Sequence, residues 1–146
     1  MALPVDGLTL AQKQQITRQL LNSGAGISEI NTVRTQLSRI TGGKPAAAAA
    51  PARLLLLILS DVPGDDPAIV ASGPTIRSDS TPADALCVLN RYGIDIPAAV
   101  HDRLESAEPR ERIAYRGEHR IVASPSQALE AAAEEARKCG FAVVNL

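Results

Sequence analysis

Apolar residues recur along the first forty positions with the spacing of helix faces rather than of strands. Ile16, Leu20 and Leu21 supply the apolar face of a helix expected over Thr9–Ser23, with Thr9 as its N-cap and Gly24 after its end. Ile30, Val33, Leu37 and Ile40 recur at steps of 3, 4 and 3, which predicts a second helix over Ser28–Ile40 that Gly42-Gly43 stops. The stretch "KPAAAAAPA" suits a short helix or a linker, since alanine favours helix while Pro45 and Pro51 limit its length. Leu54–Leu59 breaks the pattern. An unbroken apolar run of that length predicts a central strand buried on both faces, as in a parallel sheet.

That run ends abruptly in Asp61, a Pro63-Gly64 turn and two more aspartates, Asp65 and Asp66. Asp66-Pro67 reads as a helix cap followed by a first-turn proline, and Thr81-Pro82 repeats the signal for a helix to about Tyr92, closed by Gly93. Pro97–Ser106 is expected to be a short helix and Ala107–Gly117 a charged loop. Arg120–Ala123 reads as a strand. Ser124-Pro125-Ser126-Gln127 then has the form of a capping box. In the helix it opens, Leu129, Ala132, Ala133 and Ala136 line one face, and Glu134 sits one turn from Lys138. Gly140 ends that helix, and Ala142–Leu146 is the last expected strand. A β-α-β unit implies parallel strands. The whole predicts an α/β chain, a Rossmann-like parallel sheet with helices on both faces. An apolar strand at the very end, and no strand before the first helix, predict a partial domain over 1–146, truncated at both ends.

Composition narrows the partners. The net charge is −1 and aromatics make up 2%, which argues against nucleic acid. No apolar run approaches a membrane span, so no membrane association is expected. Cys87 and Cys139 form no metal or redox spacing and suit reduced thiols in the cytoplasm. His101 and His119 lack ligand spacing and are expected to face solvent. Two glycine motifs fail. "SGAGISE" has Glu29 where a dinucleotide fingerprint needs its third glycine, and it follows a helix rather than a strand. "GGK" at Gly42–Lys44 has Ser38 and Pro45 at two required phosphate-loop positions.

The aspartates after Leu59 remain. Ligands of open parallel sheets bind outside the carboxyl ends of the strands, where Asp61 is expected. Clustered carboxylates there suit Mg²⁺, or a base that accepts a proton from a substrate hydroxyl. A structural reading is equally open, with Asp66 only a cap and Asp61 bonded to its own loop. Asn31, Arg34 and Ser38 share a helix face away from the apolar stripe, and Arg34 suits bidentate contact with a carboxylate or phosphate. Glu29, in the first turn, suits the helix dipole.

"LTLAQKQQITRQLLNSGAGISEINTVRTQLSRITGG", "LILSDVPGDDPAIVASGPT" and "RYGIDIPAAV" together resemble the N-terminal domain of the bacterial glycerate 2-kinases that carry a C-terminal MOFRL domain. Many of these are named hydroxypyruvate reductase. The resemblance covers nearly the whole chain and is densest over Ser23–Thr75. It implies ATP- and Mg²⁺-dependent phosphorylation of glycerate at its 2-hydroxyl, in a cleft between two domains. On the matching positions it implies Asp61 as the catalytic group, Glu29, Asn31, Arg34 and Ser72 as substrate-binding residues, and Asp65 and Asp66 at the metal. The family's glycine-rich loop and lysine would lie upstream and the MOFRL domain downstream. Thr35-Gln36 stand where the family usually has Lys-His, and Thr41 where it has Lys, which removes three potentially cationic groups. Alternatives are an NAD(P)H-dependent hydroxypyruvate reductase and a non-catalytic assembly domain. Truncated strand edges and uncovered apolar surface seek partners, so association into a homo-oligomer is an expectation for the chain.

Overall fold

Local capping sets the helix starts. The Thr9 hydroxyl accepts from the Gln12 amide at 3.2 Å while the Gln12 side chain accepts from the Thr9 amide at 2.9 Å. Thr81 and Asp84 repeat the exchange at 3.1 and 2.7 Å, and Ser124 accepts from the Gln127 amide at 3.3 Å. The computed structural model describes residues 3–62, 64–107 and 117–144. Its elements are α1 (Leu10–Asn22), α2 (Ile27–Gln36), α3 (Lys44–Ala49), β1 (Leu54–Leu59), α4 (Pro82–Arg91), α5 (Ala98–Glu105), β2 (Gly117–Ala123) and α6 (Pro125–Lys138), with a 3-10 turn at Val70–Ser72. Pro63, residues 108–116 of the expected charged loop, and Asn145 and Leu146 lie outside the described residues.

The core is helical. Ile16 and Leu20 of α1, Ile30 and Val33 of α2, Ala85, Val88 and Leu89 of α4, and Val100 and Leu104 of α5 bury one another, with Leu37 just beyond α2. Each such side chain contributes about 1.5–3 kcal/mol of hydrophobic stabilisation. α2 stops at Gln36 rather than at the expected Ile40. The N-terminal segment takes over the next backbone groups. The Val5 amide donates to the Leu37 carbonyl at 3.3 Å, and the Arg39 amide donates to Leu3 at 2.8 Å. The alanine run is helix, with Pro45 in its first turn.

β1 and β2 are parallel, as the β-α-β pattern predicts. Leu54 sits opposite Gly117 and Ile58 opposite Ile121, and a bulge then sets Leu59 opposite Ala123. This makes a mixed α/β chain with a parallel sheet, but two expectations about the sheet are corrected. β1 is not a central strand buried on both faces. Ile58 is buried, whereas Leu55, Leu57 and Leu59 are 62%, 64% and 71% exposed. Alternate residues of a pleated strand point to opposite sides, so an unbroken aliphatic run does not reveal which side is covered. The last expected strand is also not formed over residues 142–144, which pair with no neighbour among the described residues. An extended segment becomes a strand only when a ladder partner takes its backbone groups. α6 buries Ala133, but Leu129 and Ala132 of its expected face are exposed. The Glu134–Lys138 pair forms at 3.3 Å.

Leu89→Ala should lower the unfolding free energy by about 2–5 kcal/mol in a urea titration, the range for emptying a buried leucine site. Leu57→Ala, on the exposed side of β1, should change it by less than about 1 kcal/mol. Equal costs would show that the sheet, not the helical core, carries the stability.

Candidate functional site

The end of α2 and the loop that follows β1 are joined through backbone. The amides of Gly42 and Gly43 both donate to the Gly73 carbonyl, at 2.8 and 3.1 Å. Two of these positions exclude a side chain. Gly43 has φ +82° and a Cβ there would lie 3.0 Å from the Arg77 Cα; Gly73 has φ +54° and its Cβ would lie 2.7 Å from the Ala68 carbonyl oxygen. Lys44 donates from Nζ to the Thr35 carbonyl at 2.8 Å and also to the Ser38 carbonyl. Gly42-Gly43 therefore do not stop α2, which already ends at Gln36; Gly43 is the N-cap of α3, and Lys44, its first residue, reaches back to carbonyls at and beyond the end of α2. Gln36 donates to the carbonyl and hydroxyl oxygens of Ser80 at 2.7 and 3.1 Å, and Thr35 is buried. Both departures from the family pattern therefore support local structure.

Within the loop after β1, Asp61 is exposed. Asp66 accepts from the Ala68 amide at 2.9 Å through Oδ1, and its carbonyl accepts from Ile69 and Val70 at 3.0 and 3.3 Å. It caps only this turn and the 3-10 turn after it, so the helix expected after Pro67 is not formed. Asp65 is different. Its Oδ1 is buried with no hydrogen-bond partner among the described residues. Asp65 (φ 53°) and Ser72 (φ 63°) are, among the described residues, the non-glycine positions in the left-handed region. That conformation costs roughly 1–2 kcal/mol per residue, and such strain collects at functional sites. The carboxylates of Asp61, Asp65 and Asp66 do not converge within 4.8 Å as a trio; His101, Asp102 and Glu105 on α5 do, near the surface. Mg²⁺ commonly takes only one or two carboxylates, with water and phosphate completing its shell. The orphaned oxygen of Asp65 fits that requirement.

On α2, Glu29 is fully engaged. It accepts from the Gly26 amide at 3.0 Å and the Tyr92 hydroxyl at 2.7 Å, and pairs with the Arg91 guanidinium. The Tyr92 hydroxyl first, then the Gly26 amide, hold its carboxyl below the usual carboxylate range. The same bond raises the Tyr92 phenol. Glu29 thereby ties α2 to the end of α4. The Asn31 side chain makes no hydrogen bond among the described residues. Arg34 lines a cavity of about 330 Å³ with Lys13, Thr17 and Arg18 of α1 and Ser38 and Thr41 beyond α2. Lys13 is half-buried; burial first, and the Arg34 charge second, lower it to about 8. Lys13 and Arg18 were not singled out from sequence. Only the docking of α1 on α2 brings them to Arg34. The structure thus sets Ser72 in the loop clamped to the end of α2 and Arg34 among cations, while Glu29 faces α4.

The parallel β1–β2 pair with its flanking helices makes this a mixed α/β chain. It belongs to the family described as a domain of unknown function, DUF4147, which matches residues 1–105. It is 50% identical, over 94% of its own length and 32% of the relative's, to an Agrobacterium vitis protein with the provisional name hydroxypyruvate reductase. It is 44% identical to the D-glycerate 2-kinase of Thermotoga maritima, over 74% of this chain and 26% of that protein. The crystal structure of a Thermotoga maritima glycerate kinase superposes with a TM-score of 0.83 at 38% identity, covering 95% of this chain and 33% of that one. The chain spans about a third or less of the length of these relatives.

The Glu29 tie has a pH signature. Its carboxyl is held below the ordinary 4.5, so its contribution is complete above pH 4.5 and is lost as pH falls through the lowered value. Between about pH 5 and about pH 3, Glu29→Gln should therefore lose less stability than the parent sequence in urea titrations. Equal losses would mean the Tyr92–Glu29–Arg91 contacts are not maintained in solution.

Proposed function

We propose that the protein containing this chain is a D-glycerate 2-kinase, transferring the terminal phosphoryl group of ATP to the 2-hydroxyl of D-glycerate. One structural observation above others supports it: the loop leaving the carboxyl end of β1 holds Asp65 and Ser72 in strained conformations and is clamped at Gly73 to the end of α2. Similarity to the Thermotoga maritima D-glycerate 2-kinase sequence and to the glycerate kinase crystal structure from that organism supports the same reading. A reductase would need a dinucleotide site. The most glycine-rich candidate, Gly24–Gly26, joins two helices, and its Gly26 amide is already taken by Glu29.

Phosphoryl transfer asks the protein for positioning and charge compensation more than for covalent chemistry. Asp61, open to solvent at the strand end, accepts the proton of the 2-hydroxyl as that oxygen attacks. The new O–P bond forms as the bond to ADP breaks. Arg34 holds an anionic group of the substrates with its planar fork. Asn31 and Ser72 bond to glycerate oxygens, and Glu29 keeps the helix of Asn31 aimed through its bonds to α4. Asp65, with Asp66, would hold Mg²⁺, which when bound neutralises charge on the phosphates. The remaining parts of the protein, including the MOFRL domain that the resemblance implies, would close the cleft. We place the enzyme in the cytoplasm, in keeping with the free thiols of Cys87 and Cys139, and as a homo-oligomer. Among the described residues no helix is long and apolar enough to cross a membrane.

In the full-length protein, Asp61→Asn should lower kcat at least about tenfold in a coupled assay with D-glycerate and Mg-ATP, the scale of a lost proton acceptor. The 146-residue chain alone should show no turnover. Oxidation of NADH by the full-length protein with hydroxypyruvate, and no phosphorylation of glycerate, would replace the kinase reading with the reductase one.

A further inference from the structure

The cavity between α1 and α2 is unusual in its charge. Lys13, Arg18 and Arg34 line it, and no carboxylate does. Among the described residues none of the three forms an ion pair. Like charges gathered in one hollow repel each other. Burial first, and the Arg34 charge second, lower the Lys13 ammonium. Hydroxyl groups complete the lining. Ser38 is fully buried, its Oγ accepting from the Ile40 amide at 3.3 Å. Thr17 donates to the Lys13 carbonyl at 2.9 Å and keeps acceptor capacity only. The cations are therefore the groups in the lining that meet an anion.

We propose that this cavity is a binding site for a phosphoryl dianion, carried either by a nucleotide or by a small phosphorylated acid, with Lys13, Arg18 and Arg34 as its donors. A volume of about 330 Å³ lies at the small end of ligand pockets, suited to one anionic head group rather than to a whole nucleotide. A dianion offsets two of the three charges, where a lone carboxylate offsets one. The site deepens the kinase reading at Arg34 and rests on it only for that residue. Lys13 and Arg18 enter on the cavity alone.

The test is a metal-free titration of the 146-residue chain with inorganic phosphate, a phosphoglycerate, ATP and D-glycerate, followed by amide chemical shifts and by thermal melting. The three phosphate-bearing probes should compete for saturable shifts over α1 and the end of α2, with D-glycerate at least about tenfold weaker. Lys13→Gln and Arg34→Gln should each weaken phosphate binding about tenfold, on the scale of one lost charge-assisted hydrogen bond. Lys13→Arg should retain it, which separates lost charge from lost folding if a neutral variant melts early. ATP binding tighter than phosphoglycerate assigns the site to the nucleotide, and the reverse order to the phosphorylated acid. Unsaturable or dispersed shifts with every phosphate probe, or equal affinity for phosphate and D-glycerate, overturns the proposal. Binding is read here without turnover, so failure in this titration and failure of the glycerate assay are separate results.

Discussion

The burial of α2's apolar side is the constraint on which the rest of the molecule depends. Ile30 and Val33, with Leu37 just past the helix, are in the core formed with α1 and α4. Once that side is committed, the opposite side is determined by the 3.6-residue repeat, and Asn31 and Arg34 fall outside the core. The start of the helix is fixed by Glu29, which reaches both its own first-turn amide and the end of α4. Its end is fixed by Lys44 and by the glycines bonded to Gly73. A ten-residue helix pinned at both ends and along one side has little freedom to shift, which is what precise placement of a charged side chain requires.

What could be read from sequence divides along a physical line. Thr9, Thr81 and Ser124 were legible as caps because a cap is completed within three residues. The parallel pairing of β1 with β2 followed from the β-α-β order. Long-range events were not legible. α2 ends early because Leu3 and Val5, more than thirty residues away, take its next backbone groups. Glu29 looked like a dipole residue, yet its partners Arg91 and Tyr92 lie 62 and 63 residues further on. The leucines of β1 gave no clue to which side is covered, because side chains of one type carry no alternation. Arg34 was legible as a candidate anion contact, but its cationic neighbours on α1 were not.

The charged groups are sorted by sign. Arginine and lysine occupy the α1–α2 cavity, and aspartates occupy the loop after β1. Chemistry that moves a phosphoryl group needs both signs: cations where negative charge accumulates, and a carboxylate where a hydroxyl proton must go. Keeping them on separate elements stops them from neutralising each other as ordinary surface ion pairs. Surface pairs such as Asp6 with Arg39 and Glu134 with Lys138 lie elsewhere and contribute little each.

The clamp between α2 and the aspartate loop consists of peptide groups alone. Two N–H donors meet a single carbonyl oxygen, and no side chain takes part in either bond. Truncating side chains one at a time would pass over this junction as if nothing were there. It would become visible only in the opposite experiment, where adding one methyl group to a bare backbone does harm. In a library of random variants Gly43 and Gly73 would therefore be recorded as positions that accept nothing larger, although neither carries a reactive group.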